Sequence, residues 1–103
     1  MGKPVKLMMT WDIRAGWEEN YLQFITQEFT PVMLKAGLQT TDAWYTIYGP
    51  NRPEVMMGFL ATDLETMKRF LASEAWLKLK EKLLGYVEGY QQKVVPYKGG
   101  FQL

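Results

Sequence analysis

Two apolar stripes at helical spacing, each lying between short runs of strand-forming residues, constrain this chain more than any other feature. The first is Trp17, Tyr21, Phe24, Ile25, Phe29, Val32, Met33 and Ala36, recurring at the three- and four-residue steps that place side chains on one face of a helix. The second comes in two pieces, Leu64, Met67 and Leu71 after Asp63, then Trp76, Leu77, Leu79, Leu83 and Leu84 after Ser73. Asp and Ser in those places are N-cap residues, whose side-chain oxygens accept from free N–H groups of the first helical turn. Gly37 closes the first stripe as a left-handed cap. Pro31, inside that stripe, predicts a kink or a restart, because proline has no N–H and clashes with the preceding turn.

The runs between the stripes read as strands. Val5 to Ile13 is rich in Val, Leu, Met, Trp and Ile and too short for a typical helix, and Ala15-Gly16 ends it. Asp42 to Tyr48 is dense in Trp, Tyr, Thr and Ile, the turn formers Gly49-Pro50-Asn51-Arg52-Pro53 follow, and Glu54 to Thr62 completes a hairpin. Tyr86 to Tyr97 mixes Val and Tyr with Gln and Lys and carries Pro96, which suits an edge strand. The order strand, helix, strand, strand, helix, strand predicts an α+β chain with the ferredoxin-like split βαβ fold, βαββαβ. Its antiparallel sheet has four strands and both helices lie on one face. At 103 residues the expectation is one domain, 1–103, since two cores would each be too small.

Strand alternation assigns two faces. Val5, Leu7, Met9, Trp11 and Ile13, with Ala43, Tyr45, Ile47, Val55, Met57, Phe59 and Ala61, form an apolar set that belongs under the helices. The opposite set holds Lys6, Met8, Thr10, Asp12, Asp42, Trp44, Thr46, Tyr48, Glu54, Met56, Gly58 and Leu60. Met8, Trp44, Tyr48, Met56 and Leu60 are too apolar for a face left in water, since each large side chain forgoes roughly 1.5–3 kcal/mol of burial if exposed. Something is expected to cover that face.

Residue types narrow the chemistry. The chain has no Cys and no His, which removes disulfides, thiolate and imidazole metal sites, Cys nucleophiles and the usual general base near neutral pH. Its only Ser, Ser73, reads as a helix cap and has no His to activate it. Glu18-Glu19 and Asp63 with Glu65 read as acidic first turns of helices, so neither metal nor cofactor is expected. A net charge of +1 gives no field for nucleic acid or anionic lipid. No apolar run suits a secretory signal or a membrane span, and the expected compartment is the cytoplasm.

Three coverings of the second face are physically reasonable. An RNA-recognition platform needs basic residues and aromatics on the outer face of the third strand. Glu54-Val55-Met56-Met57-Gly58-Phe59-Leu60 offers no basic residue and one aromatic, on the other face. A structural dimer is the second covering. The third is a symmetric dimer whose sheets pack face to face around a small-molecule cavity.

The passage Trp11-Asp12-Ile13-Arg14-Ala15-Gly16-Trp17-Glu18-Glu19-Asn20-Tyr21, the late Ser73-Glu74-Ala75-Trp76 and the closing Val94-Val95-Pro96-Tyr97 carry a resemblance. With the length and element order, they make the chain similar to the dimeric α/β-barrel superfamily, which includes antibiotic-biosynthesis monooxygenase-like and stress-responsive barrel domains. The resemblance implies a homodimer through the sheet faces that binds a hydrophobic or aromatic small molecule. Members that degrade haem or dismutate chlorite use a His ligand, which this chain lacks. Members that oxidise polyphenols without a cofactor rely on Trp, Tyr, Asn and Arg, so that the deprotonated substrate itself gives an electron to oxygen. By that likeness Asn20, Trp44, Tyr48, Arg14 and Arg52 become candidates.

Thr10, Asp12, Arg14, Asn20, Trp44, Tyr48, Met56 and Gly58 are therefore the expected ligand-binding residues. Each also has an ordinary role: Trp44 and Tyr48 as interface packing, Arg14 as a solvated loop cation or a partner of Asp12. Asp12 would become a proton acceptor only if burial raised its pKa. Gly58 is the more diagnostic residue, since glycine within a strand commonly leaves room for something that approaches closely. The non-enzymatic alternative is a dimeric ligand-binding or structural domain.

Overall fold

The computed structural model describes residues 3–45 and 55–97. Along the chain these form β1 (Val5–Ile13), α1 (Glu18–Phe24), a π-helical segment (Ile25–Phe29), α2 (Thr30–Lys35), β2 (Gln39–Tyr45), β3 (Val55–Ala61), α3 (Leu64–Leu71), α4 (Glu74–Leu84) and β4 (Val87–Pro96). The sheet has four strands in the order β2-β3-β1-β4, and each neighbouring pair is antiparallel. This is the ferredoxin-like arrangement expected from the sequence, with β4 on an edge. Among the described residues no helix is long and apolar enough to cross a membrane.

Alternation in β1 decides which face the helices cover. Val5, Leu7, Met9 and Trp11 are buried and join Tyr21, Phe29, Met33, Phe59, Met67 and Trp76 in the core, whereas Lys6, Met8 and Thr10 are only half-buried. Phe29 is the hub of that core, with its ring centroid 6.2 Å from Trp11, 6.1 Å from Phe59 and 6.3 Å from Trp76. Edge and tilted contacts of this kind each contribute about 0.5–1.5 kcal/mol beyond burial. They bind β1, β3, the first helix and α4 into one body.

Both cap expectations hold. The Asp63 carboxylate accepts from the Thr66 N–H at 2.8 Å, and the Ser73 hydroxyl accepts from the Trp76 N–H at 3.2 Å. Ser73 also separates α3 from α4, so the second helix is in two pieces, as the sequence predicts. At Pro31 the expected restart takes a particular form: the first helix widens into a π turn just before the proline, with the Thr30 N–H reaching back to the Ile25 carbonyl, and α-helical geometry resumes at Thr30 as α2. The Thr26 hydroxyl donates to the Leu22 carbonyl at 2.9 Å, adding a donor where the α-helical ladder is disturbed.

Strand boundaries differ from expectation in three strands, least in β4, which runs one residue inside the expected Tyr86 to Tyr97 at each end. β2 begins at Gln39, three residues before Asp42, because a bulge between Thr40 and Asp42 lets the polar Gln-Thr-Thr run pair with Leu60 and Phe59. β3 ends at Ala61, since Thr62 already turns toward the Asp63 cap. Thr46 to Glu54, including the expected turn and Tyr48, lie outside the described residues.

Candidate functional site

The sheet face turned away from the helices is ordered in rows by the strand register. Lys6 pairs with Leu60 on one side and Val95 on the other, Met8 with Gly58 and Lys93, Thr10 with Met56 and Gln91, and Asp12 with Glu88. Further along two of these rows, the backbone of Asp42 is paired with Gly58 and that of Trp44 with Met56. Lys6 and Lys93 thus lie toward one end of the face, with the carboxylates of Asp12 and Glu88 at the other. Between them Met8, Thr10, Met56, Gln91, Gln92 and Lys93 line a depression of about 290 Å³.

A bulge in β4 determines which of its residues reach this face. Thr10 pairs with Gln91 but Asp12 with Glu88, so Gly89 and Tyr90 together stand opposite Trp11. Gly89 takes φ +65°, a left-handed conformation that suits glycine. Past the bulge, Tyr90 turns to the helical side and stacks on Trp11, with centroids 6.0 Å apart and planes 9° from parallel. Burial there pushes the Tyr90 phenol well above its ordinary value, and its hydroxyl donates to Gln92 Oε1 at 2.7 Å. Gln91 and Lys93 are thereby directed to the open face. Among the described residues neither side chain makes a hydrogen bond or ion pair.

The expected site residues divide into two groups. Thr10 and Met56 share the depression. Gly58 is buried in the adjoining row, where it brings no side chain of its own between Met8 and Asp42. Trp44 has its backbone at the register position beside Met56. Asp12 occupies the next row and is exposed, so the burial that would make it a proton acceptor is missing.

Arg14 and Asn20 do not join this group. The Arg14 guanidinium reaches Glu88 at 3.5 Å and the Leu84 carbonyl at 3.4 Å, at the end of the sheet beside α4. Asn20 lies on the outer side of the first helix and lines a separate small cleft with Gln23, Phe24, Gln27, Glu28 and Tyr86. Tyr48 and Arg52 lie outside the described residues. Sequence reasoning missed Gln91 and Lys93 because simple alternation from Val87 points them toward the helices. Gly89 in mid-strand is the signal that reverses the phase.

A larger cleft of about 700 Å³ opens on the helical side, lined by Trp17, Glu28, Lys78, Glu81, Lys82, Gly85 and Tyr86. Both of its lysines are already paired. Lys82 bridges to Glu28, whose hydrogen bond and charge hold the ammonium above its ordinary pKa, and Lys78 pairs with Glu74 at 3.0 Å. The depression on the open sheet face, with Lys93 and Gln91 unengaged, is the better candidate. Among the described residues no group of three or more acidic side chains is placed to hold a metal ion.

No protein-family model matches the chain, and a comparison with curated proteins finds no match. Solved structures do. A NIPSNAP-like domain protein from Burkholderia xenovorans superposes with a TM-score of 0.70 at 18% identity, covering 100% of this chain and 92% of that one. Hydroxynitrile lyase from Passiflora edulis gives 0.74 at 11% identity, over 99% of this chain and 100% of the lyase. A DABB family protein with a ferredoxin-like fold from Mesorhizobium loti gives 0.74 at 9% identity, over 94% and 99%. At these identities the likeness is one of fold, and it agrees with the ferredoxin-like fold read from the sequence.

Proposed function

We propose that the chain is a homodimer built through its open sheet faces and that the depression on this face becomes a closed cavity for a hydrophobic or aromatic small molecule. The observation that carries the reading is that Met8 and Met56, half-buried in one subunit, line a concave surface together with Thr10, Gln91 and Lys93 on the side the helices leave uncovered. The layout of the face supports a second copy as the cover. A two-fold axis running across the strands brings the half-buried Met8 and Thr10 rows of the two faces together at the centre, apolar surface on apolar surface.

Binding is the part of this reading that the residues support furthest, because Lys93 is the one titratable side chain among the described lining residues. Cofactor-independent oxidation of a polyphenol, implied by the resemblance, is its catalytic extension and would be run in the same cavity. Oxygen uptake with a panel of polyphenols tests that extension alone, and no uptake removes it while leaving binding in place.

Solution mass tests the assembly. The wild-type chain should sediment as a dimer at micromolar concentration, and Leu60→Glu, which puts a carboxylate on the covered face, should yield folded monomer. A wild-type monomer across that range would overturn the reading.

A further inference from the structure

We infer that the ligand of this groove is a planar aromatic acid, bound with its carboxylate at the β4 edge against Lys93 and Gln91 and with its ring lying across Met8 and Met56 toward β2. The inference rests on the open face being a ligand groove and adds the ligand's charge and direction.

The polar groups of the depression are not spread evenly. Lys93 and Gln91 stand on β4, two residues apart on one face, while the β3 side is supplied by Met56. Gln92, which also borders the groove, has its amide oxygen engaged by the Tyr90 hydroxyl. Gln92 also pairs with Met9, on the helical side of the register, so the donors that the open face presents are the Lys93 ammonium and the Gln91 amide, both at one edge, with the Thr10 hydroxyl next to them on β1. An ammonium and an amide N–H at a single edge suit an oxyanion with two acceptor oxygens.

Glu88, in the row beyond Thr10 and Gln91, already holds the Arg14 guanidinium at 3.5 Å, so among the described residues lining the groove Lys93 is the cation that an anion would meet. From β4 across β1 to β3 is two strand spacings, roughly 10 Å, about the length of a two-ring arene bearing an acid group. Over that span the ligand would meet the thioethers of Met8 and Met56, which make favourable contacts with aromatic rings. Gly58, in the row beside Met56, lets a flat ring lie close to the sheet.

Naphthoate and its neutral amide, naphthamide, share one ring system and differ in charge, so titrating both into the full chain by calorimetry tests the inference. Wild-type protein should prefer naphthoate by about fivefold. Lys93→Gln should abolish that preference without weakening naphthamide, and Lys93→Arg should keep it. Naphthoate should also shift the methyl resonances of Met8 and Met56. Equal binding of both probes, or a preference unchanged in Lys93→Gln, would overturn the anionic ligand and leave the groove standing. Failure of both probes to bind, or shifts confined to methionines of the helical side, would overturn the groove and the inference with it.

Discussion

The indole Nε1–H of Trp11, in β1, donates a 2.9 Å hydrogen bond to the hydroxyl of Tyr21, in α1, and both side chains are buried. The rings also meet edge to face, with centroids 6.3 Å apart and planes at 70°. The bond fixes the first helix on the sheet at the very strand whose other side carries Met8 and Thr10. Tyr21→Phe keeps the ring contact but leaves the indole N–H buried without this acceptor, which costs about 1–3 kcal/mol. Urea unfolding should show that loss with an unchanged m-value. A loss too small to resolve would mean that the N–H finds another partner.

Asp63 ties stability to acid. Its carboxyl is held below the ordinary value of 3.8, chiefly by the Thr66 N–H and then by the Thr66 hydroxyl. A carboxylate whose folded pKa is depressed stabilises the fold above its unfolded pKa, and that contribution disappears as pH falls through the folded value. The melting temperature should therefore decline as pH falls through and below the ordinary carboxylate range. Asp63→Asn, which keeps a capping oxygen, should show a shallower decline at acid pH and little change at neutral pH. Parallel acid limbs for the two proteins would assign the acid sensitivity to other carboxylates.

How much could be read in advance follows from how local each determinant is. Asp63 and Ser73 act within one turn of their helices, and β1 alternates without interruption from Val5 to Asp12, so caps and faces were legible. Pro31 was legible as a disturbance, but whether a helix answers with a kink or a π turn depends on what Phe29 packs against. The start of β2 was hidden because Gln39, Thr40 and Thr41 are polar and owe their strand geometry to pairing with β3. The site suffered most from Gly89. A single left-handed residue moves Gln91 and Lys93 to the open face, while Asn20, close in sequence to the first strand, ends on the far side of a helix.

Gly89 should tolerate substitution according to backbone conformation rather than space. A β-carbon there would meet Asp12 Oδ2 at 3.7 Å, an ordinary contact, so the penalty comes from φ alone. Holding a β-branched residue in the left-handed region costs about 1–2 kcal/mol, and Gly89→Val should lose that much stability in urea. Gly89→Asn should lose less, because asparagine enters this region more readily. Equal losses for the two would argue that the bulge does not persist in solution.

The division of the expected site into two groups can be tested on one pair of residues. Asn20 stands on the outer side of the first helix, in a cleft with Gln23, Phe24, Gln27, Glu28 and Tyr86, with the core and the sheet between it and the groove. Packed layers are roughly 10 Å apart, too far for an exposed amide to touch a ligand lying on Met8. Asn20→Ala should therefore leave naphthoate affinity within about twofold of wild type, less than one exposed polar contact is worth. Met56→Ala removes apolar surface without changing charge, so naphthoate and naphthamide should weaken together, by up to about tenfold if the thioether contact is lost in full. That joint loss differs from the Lys93→Gln signature, which falls on the anion alone. If Asn20→Ala weakens both probes as much as Met56→Ala does, with melting temperatures unchanged, the ligand sits on the helical side and the sheet face serves assembly only.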